Sequence, residues 1–107
     1  MLGCDIVHIP RLQKTIERSG QNFLDKIFHD SECAKATIEH LAGIMAAKEA
    51  AMKALGLAPG NWLKLCVEYN KDGAPVLYFS ADKQRTLPVS ISHDGEYAFA
   101  VVFSQTL

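Results

Sequence analysis

Hydrophobic periodicity changes character near residue 60, and this limits the fold more than any other feature of the 107-residue chain. Before that point, apolar residues recur three and four apart, as on one face of a helix. After it they alternate, as on a half-buried strand. The exception is the start. "MLGCDIVHI" is a continuous apolar run bounded by Pro10 and reads as a buried strand. Early helices and late strands predict an α+β fold, with helices packed on one face of a largely antiparallel sheet.

Local signals give the expected boundaries. Pro10 suits a first helical turn, so a helix is expected to about Ser19, with Gly20 as its stop. Leu12 and Ile16 share one side of it, while Arg11, Lys14 and Arg18 lie on the other. "NFLDKIF" is expected as a short helical turn burying Phe23, Ile27 and Phe28. Asp30 or Ser31 is read as the cap of a helical segment from 31 to about 38. A longer helix is expected from about Glu39 to Leu55, ending at Gly56. "WLKLCVEY" and "VLYFS" read as strands around an "NKDGAP" turn, and "ADKQRT" as a connection. "PVSISHD" and "EYAFAVVFS" read as two more strands joined at Asp94-Gly95.

Composition excludes several classes. Hydrophobic residues make up 49% and charged residues 21%, which is ordinary for a folded single domain spanning 1–107. A net charge of −1 and scattered aromatics leave no nucleic-acid signature. No apolar run approaches the roughly 20 residues that span a bilayer, so no membrane segment is expected. The N-terminus carries no signal-peptide pattern. Cys4, Cys33 and Cys66 form an odd set without metal-ligand spacing, which suits a reducing compartment. A cytoplasmic protein is expected.

A few residues break the bland pattern. Asp5 shares a strand face with Gly3, Val7 and Ile9, and a carboxylate among aliphatics needs a compensating charge or several hydrogen bonds. It reads either as a satisfied structural residue or as a metal ligand. In "AAKEAAMKALG", Met45, Glu49 and Lys53 recur every four residues on a helix made narrow by alanines. A Glu–Lys pair at that spacing is ordinarily a solvated surface pair contributing about 0.2–0.5 kcal/mol. Alternatively, Asp5 and Glu49 converge on one Mg²⁺, which favours a few carboxylates plus phosphate oxygens and water, with Lys53 as a point charge for phosphate. His93, beside a tight turn, is either a partly exposed turn residue or a ligand contact. His8, His29 and His40 lack regular ligand spacing, and "HDSEC" (29–33) reads as helix capping and solvation. The basic face Arg11, Lys14 and Arg18 is either solvated or a dock for an acidic partner.

These pieces resemble a known family. "GCDIV", "FLDKIFHDSE", "LAGIMAAKEAAMKALG", "NKDGAPVL" and "VSISHDGEYAFAVVF" are similar, in order, to the motifs of acyl-carrier-protein synthases, the small 4′-phosphopantetheinyl transferases. The resemblance covers nearly the whole chain. It implies transfer of 4′-phosphopantetheine from coenzyme A to a serine of an acyl carrier protein, with release of adenosine 3′,5′-bisphosphate. It implies catalysis by Asp5, Glu49 and Lys53, Mg²⁺ on Asp5 and Glu49, and coenzyme A contacts from Lys53, His93 and Pro75. Arg11, Lys14 and Arg18 would meet the carrier protein. The resemblance also implies a homotrimer with sites at subunit interfaces, where Glu49 and His93 meet from different subunits. Ile44 and Ala74 depart from the family pattern, which has arginine and lysine there. The alternative is a weakened or inactive member that binds a carrier protein or nucleotide.

Overall fold

The N-terminal strand and the alanine-rich helix form the centre of the molecule. In the computed structural model, which describes residues 1–105, β1 (Leu2–His8) lies directly beneath α3 (Ile38–Leu55). Ala46, Ala47, Ala50 and Ala51 of the helix are completely buried. Small side chains lower the helix onto the strand until no room remains at Gly3. A β-carbon there would lie 2.0 Å from the carbonyl oxygen of Ala50 and 2.8 Å from the amide nitrogen of Ala54.

Around this pair the chain forms α1 (Ile9–Ile27), α2 (Asp30–Cys33), β2 (Leu65–Tyr69), β3 (Pro75–Phe79), β4 (Asp82–Leu87), β5 (Val89–Asp94) and β6 (Tyr97–Phe103). The α+β expectation holds, with every strand pairing antiparallel. The strands divide into two three-stranded sheets, ordered β1-β6-β5 and β2-β3-β4. Alternation sets the faces of the first sheet. Gly3, Val7, Ala98, Ala100 and Val102 are buried beneath α3, while Leu2, Ile6, Tyr97, Phe99 and Phe103 point away and stay exposed.

One local expectation holds and three change. Gly20 does end the first helical run: it takes the non-helical φ 55°, ψ −136°, and a second helical run follows beyond the kink to Ile27. The backbone freedom of glycine permits the break, while Ile27 and Phe28 are drawn into the core. The segment after His29 is helical only over Asp30–Cys33, because Lys35 turns into the left-handed region at φ 58°. Its cap is His29, and Thr37 caps α3 by accepting from the amide of His40. Trp62–Lys64 forms a 3₁₀ turn before β2 begins. "ADKQRT" supplies β4 rather than a plain connection. Its polar residues give no apolar alternation, and it is a strand because it pairs with β3 as a charged sheet edge.

One charged pair lies in the core. The Lys48 ammonium is fully buried and donates to a Glu32 carboxylate oxygen at 2.6 Å and to the carbonyl of Ile27 at 2.8 Å. Glu32 also accepts from the amides of His29 and Val67, both at 2.8 Å. This pair joins α1, α2, α3 and β2. The expectation of a solvated "HDSEC" is therefore corrected at Glu32, where capping is retained but solvation is not. Burial pulls the Lys48 pKa down, and Glu32 opposes that shift.

Gly3→Ala tests the central contact. Overpacking at this site is expected to cost about 1–3 kcal/mol, read as a lower urea midpoint at unchanged slope. An unchanged midpoint would contradict the close packing of α3 on β1.

Candidate functional site

Asp5 lies on the helix-facing side of β1, and its side chain is 11% exposed. One carboxylate oxygen accepts from the Lys53 ammonium at 3.1 Å, and that ammonium also donates to the carbonyl of Cys4 at 3.1 Å. The other oxygen, Oδ2, is buried and has no hydrogen-bond partner among the described residues. Glu49, one turn before Lys53 on α3, sits half-buried beside it. Its pKa is pushed up to about 7, first by burial and then by the neighbouring Asp5 carboxylate, with Lys53 acting in the opposite direction. The structure therefore brings together the Asp5, Glu49 and Lys53 singled out from the sequence. Glu49 is not a solvated surface residue.

Two carboxylates are both acceptors, so neither satisfies the other unless a proton or a cation lies between them. A buried orphan oxygen beside a carboxylate that resists ionisation is a donor set that fits a hard divalent cation such as Mg²⁺. Lys53, with its side chain 58% exposed, has its pKa raised chiefly by its hydrogen bond to Asp5.

Glu49 separates two clefts. A polar one of ≈ 230 Å³ is bordered by Asp5, His8, Arg11, Thr15 and Glu49. An apolar one of ≈ 190 Å³ lies on the Lys53 side and ends at Trp62. Arg11 is thus beside the carboxylates, whereas Lys14 is exposed outside this cleft. Arg18 borders a separate hollow with Phe23 and Lys26 at the helix kink. His8 Nε2 donates to the Glu96 carboxylate across 3.2 Å, and its Nδ1 is buried without a partner among the described residues.

His93 lies elsewhere in the chain. Its Nε2 donates to the carbonyl of Glu39 at 2.9 Å, and its ring lies against Gly43. It borders a third cleft of ≈ 260 Å³ with Ile6, Ser92, Asp94, Tyr97 and Phe99, which none of Asp5, Glu49 or Lys53 reaches. Pro75 opens β3 opposite Tyr69 and borders none of these clefts. A single chain does not bring His93 or Pro75 to the carboxylates. Ile44, where the family pattern has arginine, is completely buried in the core.

Sequence reasoning passed over Lys48 and Trp62. Lys48 shares a helix face with Ile44, Ala51 and Met52, all buried. A lysine three or four residues from such neighbours was the available signal. The ring of Trp62 was read as strand bulk. His29, Glu32 and Cys66 place possible ligand atoms within 4.8 Å of one another. There, however, His29 Nε2 already contacts the carbonyls of Leu63 and Leu65 at 3.1 Å, and Lys48 supplies the positive charge to Glu32. That cluster is structural.

Comparison with known proteins gives the family and the fold. Residues 1–102 match the 4′-phosphopantetheinyl transferase superfamily. A holo-(acyl-carrier-protein) synthase of Campylobacter curvus is 40% identical over 112 residues, covering 94% of this chain and 96% of the relative. One from Helicobacter acinonychis is 34% identical over 95% and 97% of the two chains. The crystal structure of Helicobacter pylori holo-(acyl-carrier-protein) synthase in complex with coenzyme A superposes with a TM-score of 0.87 at 34% identity, covering 96% of this chain and 98% of that one. A Bacillus anthracis holo-(acyl-carrier-protein) synthase in complex with coenzyme A (3′,5′-ADP) gives 0.78 at 31% identity, covering 94% and 91%.

The raised Glu49 pKa has a consequence for stability in chelator. An ordinary glutamate value of 4.5 holds in the unfolded chain and about 7 in the folded one. Between those values the folded chain keeps a proton that the unfolded chain has released, so this group lowers stability as pH rises from about 4.5 to 7. Glu49→Gln is expected to remove that part of the slope in urea titrations with EDTA. Identical slopes for the two proteins would contradict the assignment.

Proposed function

This chain belongs to the 4′-phosphopantetheinyl transferase superfamily, and on that premise we propose that it moves 4′-phosphopantetheine from coenzyme A to a serine of an acyl carrier protein, dependent on Mg²⁺. The observation that carries this reading is the convergence of Asp5, Glu49 and Lys53 at the divide between two clefts. It is the chemistry a phosphoryl transfer requires: carboxylates for a cation, and a fixed ammonium for phosphate oxygens.

The serine oxygen attacks the phosphorus that bears the pantetheine arm. The bond from that phosphorus to the bridging oxygen breaks, and adenosine 3′,5′-bisphosphate leaves. Asp5 and Glu49 are the residues that would hold Mg²⁺, which would supply Lewis-acid stabilisation of the charge that develops on phosphate oxygens. Lys53 adds a positive charge next to them and is held in place by Asp5 and the Cys4 carbonyl. In this reading the Glu49 carboxylate accepts the serine proton, directly or through water. Arg11 stands at the mouth of the polar cleft, where it meets the acidic carrier protein, with Lys14 and Arg18 extending the positive face along α1.

A homotrimer completes the site in this reading. The outward face of the β1-β6-β5 sheet presents Leu2 at 70% and Ile6 at 59% exposure, with Tyr97, Phe99 and Phe103 alongside. A patch of this kind calls for a covering surface. Further copies of the chain would cover it and bring a neighbouring His93 toward Glu49. No helix among the described residues is long and apolar enough to cross a membrane.

Two experiments test the reading. Incubation with coenzyme A, Mg²⁺ and apo carrier protein is expected to add phosphopantetheine, read by intact mass. Asp5→Ala and Glu49→Ala are expected to lower kcat by about 10²–10³-fold. Robust transfer by both variants would overturn the metal assignment, and carrier binding without any transfer would favour the binding-module alternative. In sedimentation, the native protein is expected at the size of three 11.8 kDa chains, and Ile6→Lys with Phe99→Lys at the size of one. A native monomer would contradict the shared site.

A further inference from the structure

The polar cleft holds a histidine that the transfer chemistry leaves without a task. His8 ends β1 and borders this cleft together with Asp5, Arg11 and Glu49. Its two ring nitrogens are in different situations. Nε2 donates to the Glu96 carboxylate at 3.2 Å, which leaves Nδ1 as the unprotonated nitrogen of a neutral ring. Nδ1 is buried and has no partner among the described residues, so its lone pair has no donor to serve it. Tyr97 leans against the imidazole, with ring centroids 5.2 Å apart, and limits its rotation. A histidine fixed by a carboxylate at one nitrogen and open at the other has the arrangement of a base with its orienting group.

Transfer to a serine has to dispose of one proton, and the two carboxylates are poor places to leave it. Asp5 gives one oxygen to Lys53, and its other oxygen together with Glu49 forms the donor set for a cation. A cation on a carboxylate draws electron density from its oxygens and disfavours the protonated form. A proton taken up at Glu49 therefore needs an onward acceptor. Of the other polar side chains on this cleft, Arg11 is permanently charged and the Thr15 hydroxyl donates to the Arg11 carbonyl, which leaves His8. Glu96 is 66% exposed, so the far side of the ring opens to solvent.

We propose that His8 is the terminal acceptor of the serine proton, received at Nδ1 through Glu49 or an intervening water, with Glu96 as its positioning residue. The proposal rests on the transferase reading above. In the step, the serine O–H bond breaks and its oxygen bonds to phosphorus. The bond from phosphorus to the bridging oxygen breaks, and that electron pair departs with adenosine 3′,5′-bisphosphate. The proton ends on Nδ1, and Glu96 stabilises the resulting imidazolium through Nε2–H. His8 then releases the proton to solvent past Glu96. The groups that set the charge of the ring are Glu96 and Tyr97 from the turn and start of β6, Asp5 from its own strand, Arg11 from α1 and Glu49 from α3. The carboxylates favour the imidazolium and Arg11 opposes it.

The test uses the full chain with Mg²⁺, coenzyme A and apo carrier protein. His8→Gln keeps a donor for Glu96 and removes the base. It is expected to lower kcat by about 10²-fold or more, with KM for both substrates and Mn²⁺ binding unchanged. Added imidazole is expected to restore part of the activity of His8→Ala, which leaves space where the ring was. Glu96→Gln is expected to move the acid limb of the kcat–pH profile to lower pH, since losing the carboxylate lowers the imidazole pKa. Nitrogen NMR, with the His8 signals assigned by their loss in His8→Gln, is expected to show the Nε2–H tautomer in the free chain. Native kcat in His8→Gln would overturn the proposal, and so would an Nδ1–H tautomer. Lost activity without imidazole rescue, together with an unmoved acid limb in Glu96→Gln, would make His8 structural and overturn it as well. Failure of the native chain to transfer phosphopantetheine would remove the transferase reading, a result distinct from these.

Discussion

The close approach of α3 to β1 is the constraint on which the rest of the molecule depends. Gly3 gives up its side chain, and alanines at 46, 47, 50 and 51 give up theirs, so that backbone meets backbone. Only at this separation do Asp5 from the strand and Glu49 from the helix face each other. A closely packed interior transmits small displacements, so a bulkier residue at either surface would move the carboxylates apart. The charged centre is therefore a consequence of the least decorated part of the sequence.

Packing of small residues leaves the rotation of a helix poorly defined, and the Lys48–Glu32 pair supplies that definition. Lys48 is fixed from the far side of α3 by Glu32 and the Ile27 carbonyl, while Glu49, its neighbour in sequence, is turned toward Asp5. Taking both charges out of water is costly, and a buried pair is weak grounds for stability. Its value here is directional. The carboxylate of Glu32 uses both oxygens, on Lys48 of α3, on the amide of Val67 in β2 and on the amide of His29 that caps its own helix, so a rotated α3 would leave an acceptor short of its partner in the core.

Much of this was legible in the residues. Alternation in "MLGCDIVHI" placed Asp5 on the inner face, and the four-residue spacing placed Glu49 and Lys53 on one side of the helix. Their convergence needed the strand and helix to be neighbours, which no local pattern encodes. Lys48 was hidden for the opposite reason: a lysine beside a glutamate looks solvated, and its burial depends on Glu32 being 16 residues upstream. The strand at Asp82–Leu87 was hidden because a charged edge strand takes its conformation from its partner. Ile44 reads differently once placed. It is core, so the hydrocarbon at this position packs within the chain, and any phosphate charge must come from elsewhere.

The central claim is that Asp5 and Glu49 together hold one divalent cation. Mn²⁺ in place of Mg²⁺ makes this directly observable by electron paramagnetic resonance, titrated into the native chain with coenzyme A present. The account predicts one bound Mn²⁺ per chain, with binding lost or strongly weakened in both Asp5→Asn and Glu49→Gln. Unchanged Mn²⁺ binding in both variants would contradict it.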